Sequence, residues 1–217
     1  MEYIDTIYNA VLVGDAKTAH EGVKAALNTG ELATQIMQRG LIAAMTEIGR
    51  QFEAGEAYVP EMLIAARAMQ SALGLLKPYM VESGVKATGR VAIGTVQGDL
   101  HDIGKNIVGM MLEGAGFEII DLGLDVSPEK FVAVAQTQQV DIIALSALIT
   151  TTMVNMRAVI EALKNADLRD KIKVIIGGAP VTEIYANQIG ADGYSPDASG
   201  AARLAIGLMK VSNSLPA

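Results

Sequence analysis

The chain has 217 residues, 51% of them hydrophobic, which suits one large domain or two small ones with a sizeable buried core. A net charge of −7 with 17 scattered Lys and Arg argues against a large nucleic-acid footprint, and 4% aromatic content without Trp argues against a stacking platform for single strands. Cysteine is absent, so disulfides, thiolate metal sites, iron–sulfur clusters and cysteine nucleophiles are excluded, and a bound metal has to use His or oxygen ligands.

Up to about Pro78 the sequence is rich in Ala, Leu, Met, Glu and Gln and poor in β-branched runs, which predicts four helices at about 2–13, 16–26, 31–52 and 60–82. Asp15 is the expected N-cap of the second, and Pro60 belongs to the first turn of the fourth. Met62, Ala66, Met69, Leu73, Leu76 and Met80 recur at alternating spacings of four and three, the stripe of a helix packed in a bundle. The small polar stretch 82–89 then breaks the pattern and marks a boundary between a helical domain, 1–85, and a second domain, 90–217. No run of about 18 apolar residues occurs, and the opening Met1-Glu2-Tyr3-Ile4-Asp5 lacks a basic-then-apolar leader, so a soluble cytoplasmic protein with no membrane partner is expected.

From Arg90 short apolar runs at 91–96, 118–122, 141–145, 174–176 and 193–194 alternate with helical segments at 103–115, 128–138, 151–166, 182–189 and 198–210. Strands buried on both faces with helices between them predict a five-stranded parallel sheet covered on both faces, a Rossmann-like, flavodoxin-like α/β domain preceded by an all-α four-helix bundle. Ser127-Pro128 supplies cap and first turn for one helix.

The first strand runs into Gln97-Gly98-Asp99-Leu100-His101-Asp102-Ile103-Gly104-Lys105-Asn106-Ile107-Val108, which places an Asp and a His on the loop at its carboxyl end. Ligands of open parallel sheets bind at that edge. Asp99 and His101 are two apart, so in an extended loop the carboxylate can accept the Nδ1 proton of the imidazole and leave Nε2 for a metal. Gly98 and Gly104 flank the pair and suit close approach of a bulky ligand. The one other histidine, His20, lies in the helical half, which makes a multi-histidine zinc site implausible. A metal carried inside an organic macrocycle needs a single protein ligand. The stretch Gly94-Thr95-Val96-Gln97-Gly98 lacks Gly-x-Gly-x-x-Gly spacing and is no dinucleotide fingerprint.

This Asp-x-His-x-x-Gly string after a strand resembles the signature of the corrinoid-binding modules of methionine synthase, of the methanol, methylamine and methoxyarene corrinoid proteins, and of cobalamin mutases. Two further strings resemble that family in order: Ser146-Ala147-Leu148-Ile149-Thr150-Thr151-Thr152-Met153 and Gly177-Gly178-Ala179. The resemblance implies that His101 is the lower axial ligand of cobalt, tuned by Asp99, and that Gly98, Leu100, Asp102, Ile103 and Gly104 contact the corrinoid. It further implies that Ser146, Leu148, Thr150, Thr151, Gly177, Gly178 and Ala198 meet the nucleotide tail and its slot. Phe52-Glu53-Ala54-Gly55-Glu56-Ala57-Tyr58-Val59-Pro60-Glu61 resembles the family's cap, with Phe52 and Val59 shielding the methyl group. Each feature also has a plainer reading. Gly177-Gly178 alone is a turn, Thr150 or Thr151 suits a helix N-cap, and Phe52 and Tyr58 suit a bundle core or an exposed loop.

On the resemblance the chain is the corrinoid subunit of a multi-component methyltransferase system and is not catalytic by itself. A donor-specific methyltransferase loads cobalt(I) from a methylamine, methanol, betaine or methoxyarene. A second methyltransferase takes the methyl from methylcobalt(III) to tetrahydrofolate or a thiol, with a reductive activator as a third partner. A subunit of an adenosylcobalamin mutase and a cobalamin-dependent sensor are the alternatives. The bundle and its 52–60 segment count against the first, and the lack of a DNA-reading helix or basic patch against the second.

Overall fold

The computed structural model describes residues 2–82 and 87–214 of the chain. They form two compact units, one of residues 2–82 and 87 with Gly114–Gly116, the other of Thr88–Glu113 with residues 117–214. Residues 83–86 of the expected 82–89 connection, and with them the boundary expected at residue 85, lie outside the described residues.

The first unit is a helical bundle of α1 (Glu2–Leu12), α2 (Ala16–Asn28), a third long helix and α5 (Val59–Glu82). Asp15 caps α2 by accepting from the Thr18 amide at 3.0 Å, and Pro60 sits in the first turn of α5. Along α5 the side chains of Met62, Ala66, Met69, Leu73 and Leu76 are buried and Met80 is half-buried, so the stripe read from spacing is the packed face. The third helix departs from expectation. It runs as α3 (Ala33–Gln35), a π-helical stretch Ile36–Ile42, and α4 (Ala43–Glu53), with the Ala43 amide donating to the Gln38 carbonyl five residues back. Widening the turn lets Ile36, Met37, Gly40 and Leu41 all reach the core before the ordinary spacing resumes at Ala44, Met45 and Ile48.

The second unit carries strands β1 (Arg90–Thr95), β2 (Glu118–Asp121), β3 (Ile142–Ser146), β4 (Lys173–Gly177) and β5 (Gly193–Tyr194), all parallel in the order β2-β1-β3-β4-β5. That is the flavodoxin-like order. Between and after them come α6 (Ile103–Gly114), α7 (Pro128–Thr137), α8 (Thr150–Met153), α9 (Asn155–Asn165), α10 (Glu183–Ile189) and α11 (Ala198–Ser214). Strands β1, β3 and β4 are buried at nearly every position, whereas edge strand β2 is not, as the continuous apolar runs require. Ser127 caps α7 and Thr182 caps α10 through their side chains.

The helix expected at 151–166 is broken at Val154 into α8 and α9. Its N-cap position belongs to Ile149, which makes no side-chain cap, so neither Thr150 nor Thr151 caps it. The break sets Asn155 at the start of α9, where its side-chain amide donates to the Gln97 carbonyl at 2.7 Å. The order in which strands are added to the sheet reverses between β1 and β3, so the loops after these two strands flank the crevice where such sheets bind ligands.

Close packing behind that crevice gives the first test. Gly94 lies in β1, and a Cβ there would meet Phe131 Cζ at 2.8 Å, an aromatic ring fully buried under the sheet. Gly94→Ala should cost about 1–3 kcal/mol by overpacking, read from urea denaturation. A variant as stable as the original chain would contradict this account of the sheet core.

Candidate functional site

The loop that follows β1 is held at almost every polar group. The Asp99 amide donates to the Val96 carbonyl at 3.1 Å, closing a tight turn, and Gly98 at its centre has φ +81°, a left-handed conformation natural to glycine. The Gly98 amide donates to Asp125 Oδ1 at 2.7 Å, and the Asp125 amide donates to the Asp99 carbonyl at 3.1 Å. Thr95, buried at the end of β1, donates its hydroxyl to the His101 carbonyl at 2.9 Å. The loop's shape is therefore set before any ligand arrives.

Asp99 is the pivot. Its residue is 0% exposed, and its carboxylate accepts four hydrogen bonds. Oδ1 takes the His101 amide at 3.1 Å and His101 Nδ1 at 2.7 Å; Oδ2 takes the Leu148 amide at 2.8 Å and the Thr152 hydroxyl at 2.6 Å. Burial works to raise the acid's pKa, but the bonds from Thr152, Leu148 and His101 outweigh it and hold the carboxyl well below the usual carboxylate range. The Ile149 carbonyl, at 3.0 Å, is a second acceptor within reach of Thr152, and the shorter, charge-assisted bond to Asp99 takes the proton.

That ionisation fixes the imidazole. An ionised carboxylate only accepts, so Nδ1 of His101 carries hydrogen and donates, and in the neutral ring Nε2 presents its lone pair. Nε2 has no hydrogen bond among the described residues, and the His101 side chain is 53% exposed. The arrangement is one outward-facing nitrogen ligand of fixed tautomer. Among the described residues no cluster of three or more His, Cys, Asp or Glu stands ready to enclose a bare ion. The donor set fits a metal that brings its other ligands with it.

The remaining residues expected from sequence fall around this loop. Ser146 ends β3 half-buried beside Gly177 in register, and its carbonyl accepts from the Val96 amide at 3.0 Å. Leu148 contributes its backbone to Asp99 while its side chain is exposed, and Thr150 and Thr151 are exposed on α8. Gly178 has φ +127°, and a Cβ there would stand 1.9 Å from the Ala147 carbonyl oxygen, so glycine is required for the loops after β3 and β4 to lie together. Leu100 and Ile103 are strongly exposed, and Asp102 immediately precedes α6. A Cβ on Gly104 would meet nothing within 4 Å. Ala198 starts α11, buried. Phe52 and Val59 belong to the first unit, at the end of α4 and the start of α5, half-buried and exposed respectively.

Three contributors escaped the sequence reading. Thr152 stands in a quoted string, yet nothing local announces a bond to Asp99, 53 residues away. Asp125 anchors Gly98 from a β2–α7 loop that carries no motif. Lys105, beside Gly104, is buried and paired with Asp121 at the end of β2.

Comparison with known proteins places this geometry in a family context. The family described as the B12 binding domain matches residues 89–203, and a second family of the same description matches residues 3–77. The trimethylamine corrinoid protein 1 of Methanosarcina acetivorans is 44% identical over 200 residues, covering 91% of this chain and 93% of that protein. The dimethylamine corrinoid protein of Methanosarcina barkeri is 47% identical over 175 residues, covering 79% and 82%. The crystal structure of the methanol:cobalamin methyltransferase complex from Methanosarcina barkeri superposes with TM-score 0.85 at 30% identity, over 96% of this chain and 80% of that one. No helix among the described residues is long and apolar enough to cross a membrane.

The Asp99 network predicts a signature in acid. Its folded-state pKa lies below the 3.8 of an ordinary Asp, so its stabilisation is complete above that pH and is lost as pH falls toward the folded value. Thr152→Val removes a donor and raises the folded value toward the unfolded one, so the acid loss should be smaller and end at higher pH, with about 1–3 kcal/mol already lost near neutrality. Thr152→Ser should behave like the original. Urea midpoints followed across the acid range check this, and superimposable profiles for Val and Ser would contradict it.

Proposed function

The chain belongs to the B12-binding corrinoid proteins of methyltransferase systems, and from that membership we propose that His101 is the lower axial ligand of its corrinoid and that its donor is a methylated amine. The observation that carries the ligand assignment is the 2.7 Å bond from His101 Nδ1 to the buried, ionised Asp99, which leaves Nε2 as a free nitrogen donor. Bound there, a cobalamin or related corrinoid supplies a cobalt centre that takes up a methyl group and gives it up.

The chain's own residues hold, orient and shield. Asp99 holds the proton on Nδ1 and so leaves Nε2 as the lone-pair nitrogen of the neutral ring; Thr152 and the Leu148 amide keep Asp99 ionised. Leu100 and Ile103, exposed on either side of His101 in sequence, offer apolar surface for a macrocycle to cover and thereby keep water from the ligated nitrogen. The open space over Gly104 supports close approach of such a ring, since nothing in the chain itself demands glycine there. The pairing of Gly178 with Ala147 supports a slot for the nucleotide tail between the loops after β3 and β4, with Ser146, Thr150, Thr151, Gly177 and Ala198 near or along it.

The donor reading rests on the relatives named for trimethylamine and dimethylamine, at 44% and 47% identity. A donor-specific methyltransferase, an acceptor methyltransferase using tetrahydrofolate or a thiol, and a reductive activator are the partners we propose. The complex of the methanol system supports the first of these by analogy.

Reconstitution with cobalamin tests the reading. His101→Ala should lower methyl transfer from a methylamine-specific partner by about tenfold or more, and Ser146→Ala by less. Near-normal turnover by His101→Ala, with an absorption spectrum that still reports histidine ligation, would overturn the ligand assignment. Methylation by a methanol-specific partner alone would overturn the donor.

A further inference from the structure

Lys105 is the residue the proposed chemistry leaves unused. It lies in the first turn of α6, four residues beyond His101, and is only 3% exposed. Its ammonium has three hydrogens and three acceptors: Asp121 Oδ2 at 2.6 Å, Asp121 Oδ1 at 2.7 Å and Asn106 Oδ1 at 2.7 Å. Asn106 then passes the connection on, donating Nδ2 to Asp102 Oδ2 at 3.2 Å and its backbone amide to the Asp102 carbonyl at 2.8 Å. Asp102 adjoins His101. A continuous polar chain thus runs from the carboxyl end of β2 to the residue beside the proposed ligand.

The same connection between β2 and α7 reaches the other side of the loop. Asp121 Oδ1 also accepts the Gly123 amide at 2.9 Å, Gly123 accepts from the Thr95 amide at 3.0 Å, and Asp125 grips both Gly98 and Asp99. The loop bearing His101 is therefore held from before and after by residues 121–125. Burying an ammonium is expensive, and an apolar side chain of similar length would fill the same space without that cost. What the apolar side chain would lack is direction: a lysine with three fixed acceptors has one place to be.

We propose that Lys105, through Asp121 on one side and Asn106 and Asp102 on the other, is a positioning residue that holds the start of α6 and the loop before it in the posture from which His101 binds cobalt. This rests on His101 being the axial ligand. The ion pair acts on where the imidazole sits and leaves its tautomer to Asp99.

Two substitutions test it. Lys105→Met keeps the volume and removes the direction; Asn106→Ala keeps the Lys105–Asp121 ion pair and cuts the link to Asp102, so it decides the matter if the first variant fails to fold. Each is reconstituted with cobalamin and reduced to the cobalt(II) state, where electron paramagnetic resonance shows splitting from an axial histidine nitrogen. Histidine labelled with heavy nitrogen distinguishes its splitting from that of the cofactor's own benzimidazole nitrogen, and His101→Ala, measured alongside, defines the limit without histidine ligation. Amide hydrogen exchange of residues 98–104 is measured without corrinoid.

Both variants should lose part of the nitrogen splitting, bind hydroxocobalamin about tenfold more weakly, and exchange faster across the loop, while their thermal midpoints stay close to that of the original chain. A purely structural lysine would move the midpoint and leave the nitrogen splitting intact. Full splitting and unchanged exchange in Asn106→Ala, or in a folded Lys105→Met, would overturn the proposal while leaving His101 as ligand. If His101→Ala keeps the splitting of the original chain, the ligand assignment falls and this inference falls with it.

Discussion

A carboxylate with no access to water and four hydrogen bonds converging on it is the constraint around which the second unit's crevice is built. Removing a charge from water costs several kcal/mol unless donors replace the lost hydration. The chain supplies those donors from two loops: His101 after β1, and Leu148 with Thr152 after β3. Neither loop can shift without stranding the charge. Position, ionisation and tautomer are thus settled by one group, and the lone pair on His101 Nε2 is their product.

The fold makes this convergence possible. Parallel strands β1 and β3 are neighbours in the sheet, paired from Val91 with Ile142 to Thr95 with Ser146, so the loops after them emerge side by side. The β1–β3 pairing also marks where the strand order reverses, and the crevice opens there. Gly178 brings the loop after β4 against Ala147 on the same edge. Three loops tied by backbone hydrogen bonds provide a rigid site whose exposed parts include one imidazole, the apolar side chains of Leu100, Ile103 and Leu148, and the hydroxyls of Thr150 and Thr151. Such a surface suits a large, flat, metal-bearing ligand, in keeping with the corrinoid cofactor of the family.

Much of this was legible in the sequence because its signals are local. The central strands β1, β3 and β4 are nearly continuous apolar runs, the α5 stripe repeats at helical spacing, and Asp15 and Ser127 cap helices where small oxygen-bearing side chains precede helical residues. Asp99 and His101 could be paired on paper because a single residue, Leu100, separates them. Thr152 could not, since its bond to Asp99 spans 53 residues and exists only once β1 and β3 have paired. Lys105 and Asp121 are 16 apart across an edge strand, and a lysine at the start of a helix is ordinarily solvated. The π-helical turns escaped because Ile36, Met37, Gly40 and Leu41 also fit an ordinary helix face, and the break at Val154 carries no Gly or Pro to announce it.

A crystal structure of the chain with its corrinoid bound would test the central claim most directly. It should place cobalt within bonding distance of His101 Nε2, with Nδ1 still on Asp99 and the benzimidazole base away from the metal in the slot beside Gly178. Cobalt ligated by its own base, or a corrin seated away from the β1–β3 edge, would contradict it.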